Sequence, residues 1–187
     1  MTSFYSNSEL QTMGFKAMGR NVLISKFARF YSIDTISVGD NSRIDDFCII
    51  SGLVSIGRNV HIAAGCYLYA GNAGITFQDY SGLSSKGTVY AVTDDYSGKM
   101  LTNPTVPMEL RGVIENPVII GRHVVIGASS VILPGVTIAE GCSFGAMSLI
   151  NKSTEPWGVY YGVPCKRMKE RYQDLLELQR VYEKDMI

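Results

Sequence analysis

Residues 120–153 read IGRHVVIGASSVILPGVTIAEGCSFGAMSLINKS, with a bulky apolar residue at every sixth position: Ile120, Ile126, Ile132, Ile138, Phe144 and Ile150. Four positions after each of these the side chain is usually small or medium-sized, as at Val124, Ser130, Val136, Cys142 and Ser148. The same spacing runs back through Val38, Ile44, Ile50, Ile56, Ile62 and Leu68, slips, and resumes at Phe77, Leu83 and Val89. A helix repeats at about 3.6 residues and simple strand alternation at about 2, so neither explains the pattern. A period of six fits a short strand followed by a turn, and glycine often follows the apolar residue directly, as in Ile126-Gly127 and Phe144-Gly145. Such strands bury nothing alone. Stacked coil on coil they share one core and satisfy each other's backbone groups, which predicts a parallel β-helix.

Two segments break the period. Between Val89 and Ile120 lies DDYSGKMLTNPTVPMELRGVIENP (residues 94–117), polar and holding three prolines, which reads as an extruded arm. Long excursions from a compact coil are usually functional. The tail carries an apolar stripe (Tyr172, Leu175, Leu176, Leu178, Val181, Tyr182) that predicts a helix. The expected division is an N-terminal segment 1–20 with a short helix around Ser8 to Phe15, a β-helix over 21–168 with its arm at about 93–117, and a C-terminal helix over 169–187.

The 187 residues are 46% hydrophobic and 18% charged, with seventeen basic against seventeen acidic side chains. That balance gives no general attraction to nucleic acid or anionic membrane. No apolar run approaches the roughly 18 residues of a membrane span. The opening MTSFYSNSELQTMGFK has no basic stretch followed by an apolar core, so a cytoplasmic address is expected. Four cysteines lack C-x-x-C spacing, and His61 and His123 are the only histidines, so no metal is expected. Cys48, Cys66 and Cys142 fall on the small inward position, as buried hydrophobes in a reduced compartment.

The 120–153 run, ending in YYGVPCKRMKER (160–171), resembles the hexapeptide-repeat acyltransferases, in particular the galactoside, maltose and polysaccharide O-acetyltransferase branch. The resemblance covers roughly residues 15 to 170 and implies an all-β fold: a left-handed parallel β-helix with a long extruded loop and a C-terminal helix. It also implies a homotrimer with acetyl-CoA along the seam between prisms and a sugar as acceptor. By position, Ala128 and Ala146 would pass the pantetheine arm, and Asn151, Lys152, Lys166 and Lys169 would lie near the nucleotide end. Ammonium groups suit its phosphates.

In the galactoside branch the base is a histidine placed where the chain leaves the coil for the arm. Aligning ITFQDYSGLSSKGTVYAVTDD (75–95) hexad by hexad puts Asp94 there. Asp94 or Asp95 could act as a carboxylate base; His123, at a turn just after the arm, and His61, outward on an earlier coil, are the other candidates. An amine acceptor would need a base less than a hydroxyl does. Tyr67, Tyr69 and Tyr90 suit a sugar ring or a subunit seam, and Trp157 the cofactor or the open end of the core. Direct attack in a ternary complex is expected, because Cys165 has no evident base partner. The alternative is a scaffold that keeps the fold and has lost catalysis.

Overall fold

The six-residue period closes into three flat faces joined by three corners, which the computed structural model describes for residues 3–184. The first face stacks Ile36–Val38, Val54 to Ile56, Ile75 to Phe77, Val118–Ile120 and Thr137–Ile138 in parallel. The second stacks Leu23–Ile24, Arg43–Ile44, His61–Ile62, Gly82–Leu83, Val125–Ile126 and Ser143–Phe144. The third stacks Arg29–Tyr31, Ile49 to Ser51, Tyr67 to Tyr69, Thr88–Tyr90, Val131–Ile132 and Leu149–Ile150. This is a left-handed parallel β-helix. The hexad residues point inward, and Ile24, Ile44, Ile62, Leu83 and Ile126 are buried one above another. Each such side chain contributes roughly 1.5–3 kcal/mol.

The corners differ in chemistry. From the first face to the second, the turn residue adopts positive φ in every coil, at Asn21, Asn41, Asn59, Tyr80, His123, Gly141 and Trp157. Asparagine is among the side-chain-bearing residues that tolerate that region best, and three of the seven are asparagine, so this is named the asparagine corner. Backbone bonds climb it from Asn41 N–Arg20 O (2.8 Å) to Trp157 N–Glu140 O (2.9 Å). From the second face to the third runs a corner of mostly small residues. From the third back to the first runs the arm corner.

At the arm corner the slip after Leu68 is a wider turn with positive φ at Gly71 and Gly74. A Cβ on Gly71 would strike Val92 and the Glu115 carboxylate, so its absence admits the base of the arm. There Val92–Asp94 pairs antiparallel with Val113–Glu115, and the coil resumes at Val118.

Both ends of the prism are covered. Helix α1 (Asn7–Thr12) starts at a Ser6–Glu9 capping box and buries Leu10 in the core. It begins and ends earlier than the spacing suggests because Ser6 supplies the cap. At the other end Cys165–Glu170 forms a strand antiparallel to Gly158–Gly162. This pairing covers an edge of the second face, and it displaces the start of the C-terminal helix. Helix α2 is Leu175–Lys184, starting six residues after the expected start at 169. Its expected continuation to 187 falls partly outside the described residues. None of the described helices is long and apolar enough to cross a membrane.

Candidate active site

The small-residue corner is two columns of short side chains in register. One holds Ala63, Ser84, Gly127 and Gly145, joined by Ala63 N–Leu83 O, Ser84 N–Ile126 O, Gly127 N–Phe144 O and Gly145 N–Tyr160 O at 2.8–2.9 Å. The next holds Ala64, Ser85, Ala128 and Ala146, joined to the following turn residues by Lys86 N–Ala64 O, Ser129 N–Ser85 O and Met147 N–Ala128 O at 2.8–3.0 Å. The bareness is required. A Cβ on Gly127 would collide with the backbone at Ala146, and one on Gly145 would meet Tyr161 Cβ at 2.9 Å. Beyond the last coil, Tyr161 pairs with Lys166 and Val159 with Lys169, so an exposed basic strand lies at the end of this second face. Ala128, Ala146, Lys166 and Lys169 therefore occupy one side of the molecule.

Asn151 and Lys152 do not join them. They follow Leu149–Ile150 and stand exposed at the arm corner, across the third face. Asp94 is on that same arm corner, half-buried and paired with Val113. Its neighbour Asp95 is occupied locally: Oδ1 accepts from Ser97 N (2.8 Å) and Oδ2 from Ser97 Oγ (2.7 Å). Those bonds hold the Asp95 carboxyl below the usual range, as expected of a turn-forming aspartate.

The two histidines are far apart in kind. His123 takes the left-handed turn position of the asparagine corner, stacked on Tyr80 (centroids 5.2 Å) and Trp157 (6.4 Å). It is 7% exposed, and burial pushes its pKa down. Its carbonyl accepts from Arg171 Nη1 (2.7 Å), which also reaches Gly141 O and Cys142 O. His61 is exposed on the second face, with Nε2 2.8 Å from Asp45 Oδ2, while Arg43 Nε donates to Asp45 Oδ1 at 2.6 Å. Burial works to raise the Asp45 carboxyl, but the bonds from His61 and Arg43 outweigh it and the net shift is downward. His61 and Asp45 form an acid–imidazole pair on the face that leads to Ser84. Trp157 packs at the upper end of the asparagine corner. Tyr67, Tyr69 and Tyr90 stack on the third face, with centroids 6.3 and 5.3 Å apart.

Ser84 and Ser85 were not singled out from sequence. Their signal is the GLSSKG turn, whose small residues take the place that Gly127-Ala128 takes later. The arm inserted between Val89 and Ile120 hides the match, because coils adjacent in space are far apart in the chain. The site thus offers a bare corner for an extended ligand, a basic end, hydroxyls at Ser84 and Ser85, and a carboxylate at the opposite corner. Acyl transfer uses such parts: an extended carrier, hydrogen bonds at the reacting carbonyl, and a group that positions the nucleophile.

The fold and this corner define a class, and comparison with known proteins agrees. The model of the bacterial transferase hexapeptide (six repeats) matches residues 35–70 and 117–152. A curated dTDP-4-amino-4,6-dideoxy-D-glucose acyltransferase from Escherichia coli is 39% identical over 99% of this chain and 97% of its own length. The chain belongs to the hexapeptide-repeat acyltransferases.

Particular relatives narrow the likeness. AntD, an N-acyltransferase from Bacillus cereus solved with dTDP and 3-hydroxybutyryl-CoA, superposes with a TM-score of 0.97 at 47% identity, over 100% of this chain and 99% of its own. Its D94A variant was solved with dTDP and coenzyme A, and its S84A variant with dTDP-4-amino-4,6-dideoxyglucose and coenzyme A. Those substituted positions carry the same residue types and numbers as Asp94 and Ser84 here. The galactoside O-acetyltransferase of Escherichia coli strain K12 is 32% identical over 72% of the chain and 63% of its own length. The galactoside-like resemblance in the sequence is real, and likeness over the whole chain extends to the Escherichia coli dTDP-4-amino-4,6-dideoxy-D-glucose acyltransferase and to the N-acyltransferase AntD.

Proposed function

We propose that this enzyme transfers an acyl group from acyl-coenzyme A to the amino group of a dTDP-linked amino-dideoxy sugar, in a homotrimer whose seams hold the sites. The observation that carries the reading is Asp94, a carboxylate where the O-acetylating branch places a histidine. A hydroxyl needs its proton removed as it attacks, whereas a neutral amine already has the lone pair. Asp94 then serves to attract and orient the amine, and Ser84 hydrogen-bonds at the reacting centre. Whole-length similarity to the two amino-sugar acyltransferases supports this choice of acceptor.

Coenzyme A fits the small-residue corner. When bound it supplies the activated thioester. Ala128 and Ala146 let an extended arm lie close to the backbone, and Lys166 and Lys169 offer ammonium groups to its phosphates. Asn151 and Lys152, on the opposite corner, would meet the same cofactor from the neighbouring copy. The amine attacks the thioester carbonyl in a ternary complex, the carbon–sulfur bond breaks, and the proton lost by nitrogen balances the one gained by sulfur. His61, hydrogen-bonded to Asp45 and in register with Gly82 on the same face as Ser84, is the group to take any proton that must leave the site. The test is thiol release from acetyl-CoA with dTDP-4-amino-4,6-dideoxyglucose, beside an acceptor bearing a hydroxyl in place of the amine. Turnover confined to the amine is expected. Equal turnover of both, or none with either, would overturn the proposal.

A further inference from the structure

The small-residue corner stops being small toward the start of the chain. Its turn residues, read from the later coils to the earlier, are Met147, Ser129, Lys86, Gly65, Phe47 and Phe27. From Met147 to Phe47 each takes a positive φ, between 59° and 70°. Phe47 is out of place there on two counts. The left-handed region disfavours a bulky side chain, and the ring is 65% exposed, so burial offsets little of that cost. Phe27, 53% exposed, lies against it with ring centroids 5.9 Å apart and planes tilted by 37°. Neither the turn nor the core calls for this exposed aromatic pair.

Between the pair and Ser84 the corner changes character. A Cβ on Gly65 would meet only the Lys86 side chain, at 3.7 Å, so the stem of Lys86 lies over a bare turn. Lys86 is exposed and makes no ion pair among the described residues. The carboxylates just before Phe47 are engaged locally. Asp45 accepts from Arg43 (2.6 Å) and lies 2.8 Å from His61 Nε2, and Asp46 accepts from the Ser25 hydroxyl.

We propose that Phe27 and Phe47 hold the base of the nucleotide-linked acceptor, with its diphosphate passing over Gly65 beside Lys86, so that the early coils of this corner form a nucleoside-diphosphate site. The inference rests on the proposed function, which puts the reacting amine at Ser84 and coenzyme A on the later coils. The early coils are what remains for the acceptor. Phe47 and Phe27 stand two and three coils before Ser84, or about 10 and 15 Å along the corner. In a nucleoside diphosphate joined to an amino-hexose, about fourteen bonds separate the amine from the base, which is roughly 15 Å when extended. The diphosphate then falls about one coil from Ser84, where a bare turn admits it and an ammonium group faces its charge. An aromatic ring stacks on the flat face of a base. Hydroxyl, cation and aromatic pair thus follow one another along the corner in the order of the ligand's own parts.

The test is calorimetric titration of dTDP into wild type, Phe27→Ala, Phe47→Asn and Lys86→Met, with sedimentation to count subunits and KM for acetyl-CoA as the control. Asparagine keeps the left-handed turn at position 47. Phe27 is free of that constraint, so its variant stays readable if the other does not fold. Each substitution is expected to weaken dTDP at least fivefold and to leave KM for acetyl-CoA within twofold. Inorganic pyrophosphate, which has no base, is expected to weaken in Lys86→Met and not in the phenylalanine variants. Wild-type affinity for dTDP in folded Phe27→Ala or Phe47→Asn overturns the inference. Dissociation of either variant into monomers makes the pair seam packing and overturns it as well. Both results leave the proposed function standing where wild type acylates the dTDP-linked amine. A wild-type enzyme that neither binds dTDP nor acylates that amine sinks both.

Discussion

Ser84 and Asp94 stand at opposite edges of one sheet face, with the strand Thr88–Tyr90 between them. Three residues of extended strand span about 10 Å, whereas a hydrogen bond to one nitrogen reaches about 3 Å. The two side chains of one copy therefore do not converge on one amine. In the trimer proposed above, the small-residue corner of one copy would meet the arm corner of the next, and the pair would be completed across the seam. The same proposed arrangement would bring Asn151 and Lys152 to a cofactor resting on Ala128 and Ala146 of the next copy.

The basic strand gives a prediction about cofactor binding. Lys166 and Lys169 are exposed, so each phosphate contact is worth about 1 kcal/mol, or roughly fivefold in affinity. Lys166→Ala and Lys169→Ala are each expected to raise KM for acetyl-CoA about fivefold, with kcat nearly unchanged and the effect shrinking at high salt. Initial rates at low and high ionic strength decide it. An unaltered KM in both variants would remove these lysines from the cofactor end.

Burial of His123 couples stability to pH. Its folded pKa lies below its unfolded value of about 6.5. Between those two values the unfolded chain binds more protons, so stability falls as pH drops through the window and is insensitive to this group above it. His123→Asn keeps the left-handed turn and is expected to flatten the melting temperature between pH 7 and pH 5, roughly the range below the unfolded value. Melting curves of the two proteins that stay parallel across that range would contradict the assignment.

Gly141 protects Trp157. It has positive φ, and a Cβ there would collide with the indole ring. Gly141→Ala is expected to cost about 1–3 kcal/mol. Trp157 is the only tryptophan, so its fluorescence reports the displaced ring directly. A variant with wild-type emission and stability would show that the corner yields more easily than the geometry implies.

Much of this architecture can be read from the sequence because the six-residue period is a direct image of the coil. Ile120 to Ile150 and Val38 to Leu68 point inward as their spacing requires, and Cys48, Cys66 and Cys142 lie buried among them. The arm at 93–117 is legible as a break in that period. The strand Cys165–Glu170 is not, since its pairing with Gly158–Gly162 depends on an edge that exists only once the prism is built. Ser84 is hidden for a related reason: its neighbours in space, Gly127 and Gly145, lie beyond the arm. The break in spacing also marks Asp94 as the point where the chain leaves the coil, but the residue proposed to face it belongs to another copy, so no spacing within the sequence relates the two.

The most direct test of the shared site is complementation between Ser84→Ala and Asp94→Ala. Each variant alone is expected to lose at least about 100-fold in kcat/KM, the scale set by losing a group that acts at the reacting centre. Unfolded and refolded together in equal amounts, they are expected to form mixed trimers in which about a quarter of the seams carry both wild-type residues. Recovery to about a quarter of wild-type activity is the predicted result. No recovery from mixtures whose subunits are shown to have exchanged would contradict a site built from two copies.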